Sequence, residues 1–207
     1  MPKAFIFDLD GVITNTVWHH FQAWKKMFEE EGIKFSKKDY QKIDGIPRDE
    51  GIKKIVGGVS KTKIKKMGEK KQKYYREFLE KKPPSLLPGF KSLVKKLKKR
   101  GIKIAVASSS KNTNFILEKL KIKNLFDVII TGYDFKNPKP DPEIFLKTAK
   151  KLKIPPHECV VVEDSQAGVE AAKRAGMKVI GFSPTKSKRK LLQGADKVIS
   201  SFKEIQF

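Results

Sequence analysis

The chain holds a single cysteine, Cys159, among 207 residues, so no disulfide can form within it. Its place in the apolar run Cys159-Val160-Val161-Val162 suits a buried, inert thiol better than a nucleophile. Long hydrophobic runs are missing as well. No segment approaches the roughly 20 apolar residues of a membrane span, and the apolar stretch Ala4 to Phe7 runs straight into acid, unlike a signal peptide. A cytoplasmic location with no membrane partner is the expectation. Six Gln and five Asn beside abundant Lys and Glu match the balance found in heat-adapted proteins. Acidic residues are in short supply too: 23 Asp and Glu stand against 46 Lys and Arg, a formal charge of +23.

Such an excess can mark nucleic-acid binding. Here the cations are spread through nearly every helix-patterned stretch. In Lys95-Lys96-Leu97-Lys98-Lys99-Arg100, for example, Phe90, Leu93, Val94 and Leu97 keep a narrow apolar stripe while the basic residues take the solvated face. No DNA- or RNA-binding motif interrupts them, so no nucleic-acid partner is expected. A diffuse positive field instead suits the steering of a small anionic substrate.

Apolar residues at 39% and charged residues at 33% describe a globular chain with one well-buried core and room for an insert. Short, consecutively apolar runs at Ala4 to Phe7, Ile102 to Ala107, Val128 to Thr131, Cys159 to Val162 and Lys178 to Gly181 alternate with helical patterns. That alternation predicts an α/β fold, a parallel sheet with helices on both faces. A last strand is expected at Lys197 to Ile199, and the basic run Lys186 to Lys190 reads as a solvated helix start. The stretch between the first two strands is too long for one crossover helix. It divides into helical segments at Val17 to Glu31, Lys37 to Lys42, Asp49 to Val56 and Lys61 to Glu80, and closes on Pro83-Pro84, where proline ends a helix. The predicted organisation is a core of residues 1–15 and 83–207 with a helical cap, residues 16–82, inserted after the first strand. Ile13 to Asn15 and Pro83 to Pro88 are the expected hinges.

Chemistry concentrates where the first strand ends, at Asp8-Leu9-Asp10-Gly11-Val12. Residues i and i+2 share a face of an extended backbone, so both carboxylates aim above the strand's C-terminal edge, the usual ligand crevice of an open α/β sheet. Carboxylates so placed repel each other unless a cation or a shared proton relieves them. Three more polar groups stand in order along the chain: Ser108-Ser109-Ser110 after the second strand, Lys139 in Asn137-Pro138-Lys139-Pro140-Asp141-Pro142, and Glu163-Asp164 after the fourth. Each alone has an ordinary reading, respectively an Asx turn, a strand-to-helix loop, a proline turn and a helix N-cap with an acidic first turn.

Together the four motifs resemble the haloacid dehalogenase (HAD) superfamily of phosphotransferases, from Met1 to about Pro184. The resemblance implies a Rossmann-like HAD core with its cap. It makes Asp8 the nucleophile that becomes an aspartyl phosphate and Asp10 the general acid and base. Ser108 and Lys139 would hold the phosphoryl oxygens, with the bond after Lys139 often cis in the family. Mg²⁺ would be held by Asp8, the backbone carbonyl of Asp10 and Asp164, with Glu163 in or just outside the first shell. The core motifs settle a reaction type and leave phosphatase or mutase open.

The stretches from Asp8 to Thr16 with His20 and Trp24, Gly45-Ile46-Pro47-Arg48, Ser108 to Asn112, and Val162 to Gly168 resemble the β-phosphoglucomutase family. That likeness implies exchange of a phosphoryl group between β-glucose 1-phosphate and glucose 6-phosphate; the alternative is a sugar-phosphate or other small-molecule phosphatase. It places Thr16, His20, Trp24, Gly45, Arg48, Lys71, Ser109, Ser110, Lys111 and Asn112 at the substrate. His20 would bond to Lys71 and link cap closure to Asp10, and Arg48 would grip the phosphate that is not reacting. Thr16, His20 and Trp24, spaced i, i+4, i+8, would form one stripe of the first cap helix. Asn15 stands where that family commonly has an acid, and Pro47 replaces a small hydroxyl residue, removing a backbone N–H. A monomer acting on a small phosphorylated metabolite is expected.

Overall fold

Four consecutive buried residues, Ala4–Phe7, form the first strand, β1. Burial on both faces explains its unbroken apolar run, because helices cover both sides of the sheet. The computed structural model describes residues 1–43, 46–185 and 189–206. They divide into two compact units: a sheet unit, Met1–Asn15 with Pro84–Phe207, and a helical unit, Thr16–Pro83.

In the sheet unit, β1 is followed by helix α5 (Phe90–Lys99), β2 (Lys103–Ala107), α6 (Thr113–Lys119), β3 (Val128–Ile130), α7 (Glu143–Leu152), β4 (Cys159–Glu163), α8 (Gln166–Arg174), β5 (Lys178–Phe182) and β6 (Lys197–Ile199). The helical unit contributes α1 (Val17–Glu30), α2 (Lys37–Ile43), α3 (Arg48–Val56) and α4 (Lys61–Lys81). The strands form one sheet in the order β3-β2-β1-β4-β5-β6, and every pairing is parallel. β1 lies between β2 and β4, in register Phe7 to Val106 and Phe7 to Val162. The chain first builds outward on one side of β1 and then restarts on the other, which opens a crevice at the C-terminal ends of the central strands.

Four strand edges differ from the sequence expectation: β4 runs one residue further to Glu163 and β5 one further to Phe182, and the other two differ for local reasons. Ile102 is not in β2, because its N–H bonds Leu97 O and closes the end of α5. Thr131 leaves β3, because its N–H turns to the Asp134 carboxylate at 2.8 Å. The expected helix start at Lys186 to Lys190 falls mostly outside the described residues. The sheet's inner residues, among them Ile6, Ala105, Val161 and Val179, pack with Phe145 and Ala172 of the covering helices. Phe90 of α5 meets Phe7 edge to face at 5.4 Å and is fully buried; its truncation to Ala would cost about 3–5 kcal/mol.

The helical unit is built on α1 against α4. Along α4 the buried residues Ile64, Met67, Lys71, Tyr74, Tyr75 and Leu79 follow helical spacing and make one face. Opposite them α1 buries Ala23, Trp24, Met27 and Phe28. Trp24 stacks on Phe28 at 5.6 Å, and Phe28 on Phe35 at 4.7 Å. Among the described residues no helix is long and apolar enough to cross a membrane.

Candidate active site

Asp8 stands directly behind β1, its N–H bonded to Val162 O at 3.0 Å, so the backbone of β4 fixes where its side chain begins. The side chain is buried, and its Oδ1 accepts from Lys139 Nζ at 2.6 Å. The same ammonium donates to Glu163 Oε1. Glu163 ends β4 and is 1% exposed. Its other oxygen accepts from Ser165 N–H at 2.8 Å and Ser165 O–H at 2.9 Å. Ser165 also caps α8, accepting from Gly168 N–H at 3.1 Å. A methyl at Gly168 would overlap the Glu163 carboxylate, so the first turn of α8 must be this narrow for the acid to fit.

Lys139 reaches the end of β1 from a loop that braces itself. The Glu143 carboxylate accepts from Lys136 and Asn137 N–H, the latter at 2.8 Å. Asp141 caps the start of α7 through Glu143 N–H at 2.9 Å. The Lys139–Pro140 bond is cis, and the ammonium lies 5.1 Å from the centre of the Phe145 ring.

Burial lifts the Asp8 carboxyl to about 7, with Glu163 and Asp10 adding to the rise and Lys139 opposing it. For Lys139 burial works downward, but Asp8 and Glu163 outweigh it and hold the ammonium above its ordinary range. Acids therefore outnumber the one buried cation at the end of β1.

Asp10 and Gly11 begin a tight loop in which Gly11 N–H donates to Thr14 O at 2.7 Å. Gly11 has φ +89°, and a methyl there would overlap the Asp164 carboxylate. Asp164 is thus pressed against the Asp10–Gly11 backbone, and both carboxylate oxygens of Glu163 are engaged elsewhere. Asp8, Asp164 and the Asp10 carbonyl are hard-oxygen donors of the kind Mg²⁺ accepts, since that ion takes one or two carboxylates and keeps several waters. Among the described residues no cluster of three or more His, Cys, Asp or Glu side chains suited to a metal is found.

Ser108 follows β2 and is buried. Its Oγ accepts from Ser110 N–H at 3.0 Å, a bond that does not use the serine's own O–H proton. Ser110 Oγ accepts from Asn112 N–H at 3.2 Å, and Ser110 O from Thr113 O–H at 2.7 Å. The loop is held by its own hydroxyls, with Ser109 and Lys111 on its exposed side and Asn112 buried.

The helical unit gathers a second group. Lys71 is 5% exposed, and its Nζ donates to His20 Nδ1 at 3.0 Å. The ammonium lies 5.0 Å from the Trp24 ring and 4.8 Å from that of Tyr75. Burial first, then Lys71 and His19, hold His20 well below its ordinary range, so the imidazole is neutral and carries its proton on Nε2. Arg48 opens α3, pairs with Asp49 at 2.7 Å and donates to Gly68 O at 3.4 Å. Thr16 is the residue before α1 rather than part of it. The expected stripe therefore consists of His20 and Trp24, with Thr16 buried at its entrance. Gly45 lies outside the described residues.

Ser165 and Tyr75 were not among the residues singled out in the sequence. Ser165 could have been found as the N-cap residue before a helical pattern. Tyr75 carries no such signal, because a tyrosine at helical spacing reads as core.

The family model for haloacid dehalogenase-like hydrolases matches residues 5–182. The chain belongs to the haloacid dehalogenase-like hydrolase family. β-Phosphoglucomutase of Bacillus subtilis (strain 168) is 38% identical over 95% of this chain and 88% of its own length. A phosphorylated carbohydrates phosphatase of Thermotoga maritima is 34% identical over 86% of this chain and 83% of its own. Among solved structures, β-phosphoglucomutase of Clostridium difficile superposes with a TM-score of 0.89 at 36% identity, over 100% of this chain and 94% of that one. A mutant CbbY of Rhodobacter sphaeroides in complex with xylulose-(1,5)bisphosphate does so at 0.86 and 27% identity, over 99% and 96%. This HAD chain is an enzyme of the phosphotransferase and phosphatase class, with relatives that act on sugar phosphates.

Proposed function

We propose that this HAD enzyme transfers a phosphoryl group through an aspartyl phosphate at Asp8, interconverting β-glucose 1-phosphate and glucose 6-phosphate. The observation that carries the chemistry is the buried Asp8 carboxylate, fixed by Lys139 at the crevice end of the central strand with Asp10 two residues on. An Asp8 oxygen attacks phosphorus, and the phosphorus–oxygen bond to the sugar breaks as Asp10 gives its proton to the leaving oxygen. In the return step Asp10 takes a proton from the incoming hydroxyl, whose oxygen attacks the acyl phosphate and frees Asp8. Lys139 and the Ser108 hydroxyl stabilise charge on the phosphoryl oxygens. Asp8, Asp164 and the Asp10 carbonyl would hold Mg²⁺, which would supply the remaining positive charge at the phosphoryl group.

The β-phosphoglucomutase relative supports the mutase reading, as does the bond between His20 and the buried Lys71, together with Thr16, Trp24, Gly45 and Arg48 as cap residues for the sugar and the phosphate that is not reacting. Ser109, Ser110, Lys111 and Asn112 serve the same substrate from the core. A sugar-phosphate phosphatase is the second reading, favoured by the Thermotoga relative. The two separate in one experiment: β-glucose 1-phosphate with a trace of β-glucose 1,6-bisphosphate is supplied, and glucose 6-phosphate and free phosphate are both measured. Sustained glucose 6-phosphate with little phosphate supports the mutase; stoichiometric phosphate release from many esters supports the phosphatase.

A further inference from the structure

The turn after β3 carries an aromatic ring that packing does not explain. Tyr133 is 70% exposed, yet the backbone that presents it is tightly built. The Asp134 carboxylate accepts from Thr131 N–H at 2.8 Å and Thr131 O–H at 2.9 Å. Thr131 Oγ1 in turn accepts from Tyr133 N–H at 3.3 Å. From α7, Lys147 donates to Asp134 O at 2.9 Å and Lys151 to its carboxylate at 3.3 Å. The turn is pressed onto the Ser108–Asn112 loop: Gly132 N–H donates to Ser110 O at 3.1 Å, and a methyl at Gly132 would overlap Ser109 O. The ring so presented lies 5.3 Å from the ammonium of Lys111.

We propose that Tyr133 is a positioning residue, whose ring holds the Lys111 ammonium beside the Ser108–Asn112 loop so that Lys111 binds an anionic oxygen of the phosphorylated substrate. This rests on the phosphoryl-transfer reading above. A lysine on an exposed loop samples many rotamers, and fixing one on binding opposes affinity. An aromatic face that already holds the cation removes part of that loss. The ring's exposure argues against a packing role, because a surface side chain of this kind changes stability little when replaced.

The test compares Tyr133→Leu, which keeps bulk without a π-face, with Tyr133→Phe, which keeps the face. Three quantities are read: the ring-current shift of the Lys111 ε-protons by NMR, identified by their loss in Lys111→Gln; the Kd for inorganic phosphate with Mg²⁺ present; and kcat and KM for β-glucose 1-phosphate. In Tyr133→Leu the upfield shift should vanish and Kd and KM rise about two- to five-fold, the scale of an exposed cation–π contact, with the loss in KM rather than kcat. Tyr133→Phe should restore all three. Unchanged phosphate affinity in Tyr133→Leu, or a Phe variant that behaves like Leu, would overturn the proposal. If no sugar phosphate turns over in the wild type, the phosphoryl-transfer reading fails, while the NMR shift and the phosphate Kd still decide the role of Tyr133.

Discussion

Replacing Lys139 by Met removes one cation from between two buried acids and tests the electrostatics of the site without opening a cavity. The Lys139 side chain is 9% exposed, and those of Asp8 and Glu163 are 11% and 1%. Solvent screening is therefore slight at all three groups. Each charge-assisted hydrogen bond to a buried partner contributes about 1.5–3 kcal/mol, and breaking a buried pair by removing one partner costs about 3–5 kcal/mol. The expected loss is about 3–5 kcal/mol at pH 8, a large share of the roughly 5–15 kcal/mol that holds a domain together. The sign of its pH dependence follows from Asp8. Burial already lifts this carboxyl to about 7 with Lys139 present, and without the lysine it must lie higher, far above its unfolded value. Below pH 7 the native wild type and variant both hold the Asp8 proton, so the Asp8 part of the deficit opens only as pH rises above about 7 and is complete above the variant's still higher value; the deficit is therefore larger at pH 8 than at pH 5. Urea unfolding of wild type and variant at pH 8 and pH 5, with chelator present, measures both. A deficit below about 1 kcal/mol at pH 8, against the range expected for a buried pair, or one that grows on acidification, would refute the reasoning.

Three other perturbations probe neighbouring parts of the site. Gly11→Ala places a methyl into the Asp164 carboxylate at φ +89°; the Mg²⁺ concentration for half-maximal activity should rise about tenfold or more, and an unchanged value would detach Asp164 from the cation. EDTA should silence the enzyme and Mg²⁺ restore it, while Ca²⁺, with its larger and looser shell, should inhibit; full activity after exhaustive chelation contradicts the cation's role. His20 is held neutral by burial, Lys71 and His19, so below about pH 6.5 the unfolded chain binds a proton that the native one refuses. Its contribution is complete above that pH and falls by about 1.4 kcal/mol per unit below it; His20→Gln should lose this slope in urea titrations, and parallel slopes would show that His20 titrates freely.

The sheet was legible because its strands are buried on both faces: runs such as Cys159 to Val162 announce themselves without any need for periodicity. Strand ends were less so. Whether Thr131 continues β3 depends on Asp134 three residues later, a side-chain contact that no hydropathy pattern encodes. The acids, the serine loop and Lys139 were visible as motifs, but their pairing was not. Nothing local says that Lys139 bridges Asp8 and Glu163, because those partners meet only when β1 and β4 lie side by side. For the same reason no motif shows that the Glu163 carboxylate is held by Ser165 and fitted against Gly168. On α1, helical spacing joined Thr16 to His20 and Trp24, whereas the helix begins one residue later. Tyr133 was invisible as anything but a turn residue, since its role depends on a lysine from a different loop.

On the proposed mechanism the phosphoryl group rests on Asp8 during turnover. Rapid quenching of the enzyme with β-glucose 1,6-bisphosphate and Mg²⁺, reduction with borohydride and peptide mass spectrometry would read this directly, because an aspartyl phosphate is reduced to homoserine where a free carboxylate is not. Homoserine is expected at position 8 in place of Asp8, dependent on substrate and absent in Asp8→Asn. Reduction at another carboxylate, or none under conditions where sugar phosphate is turned over, would contradict that mechanism.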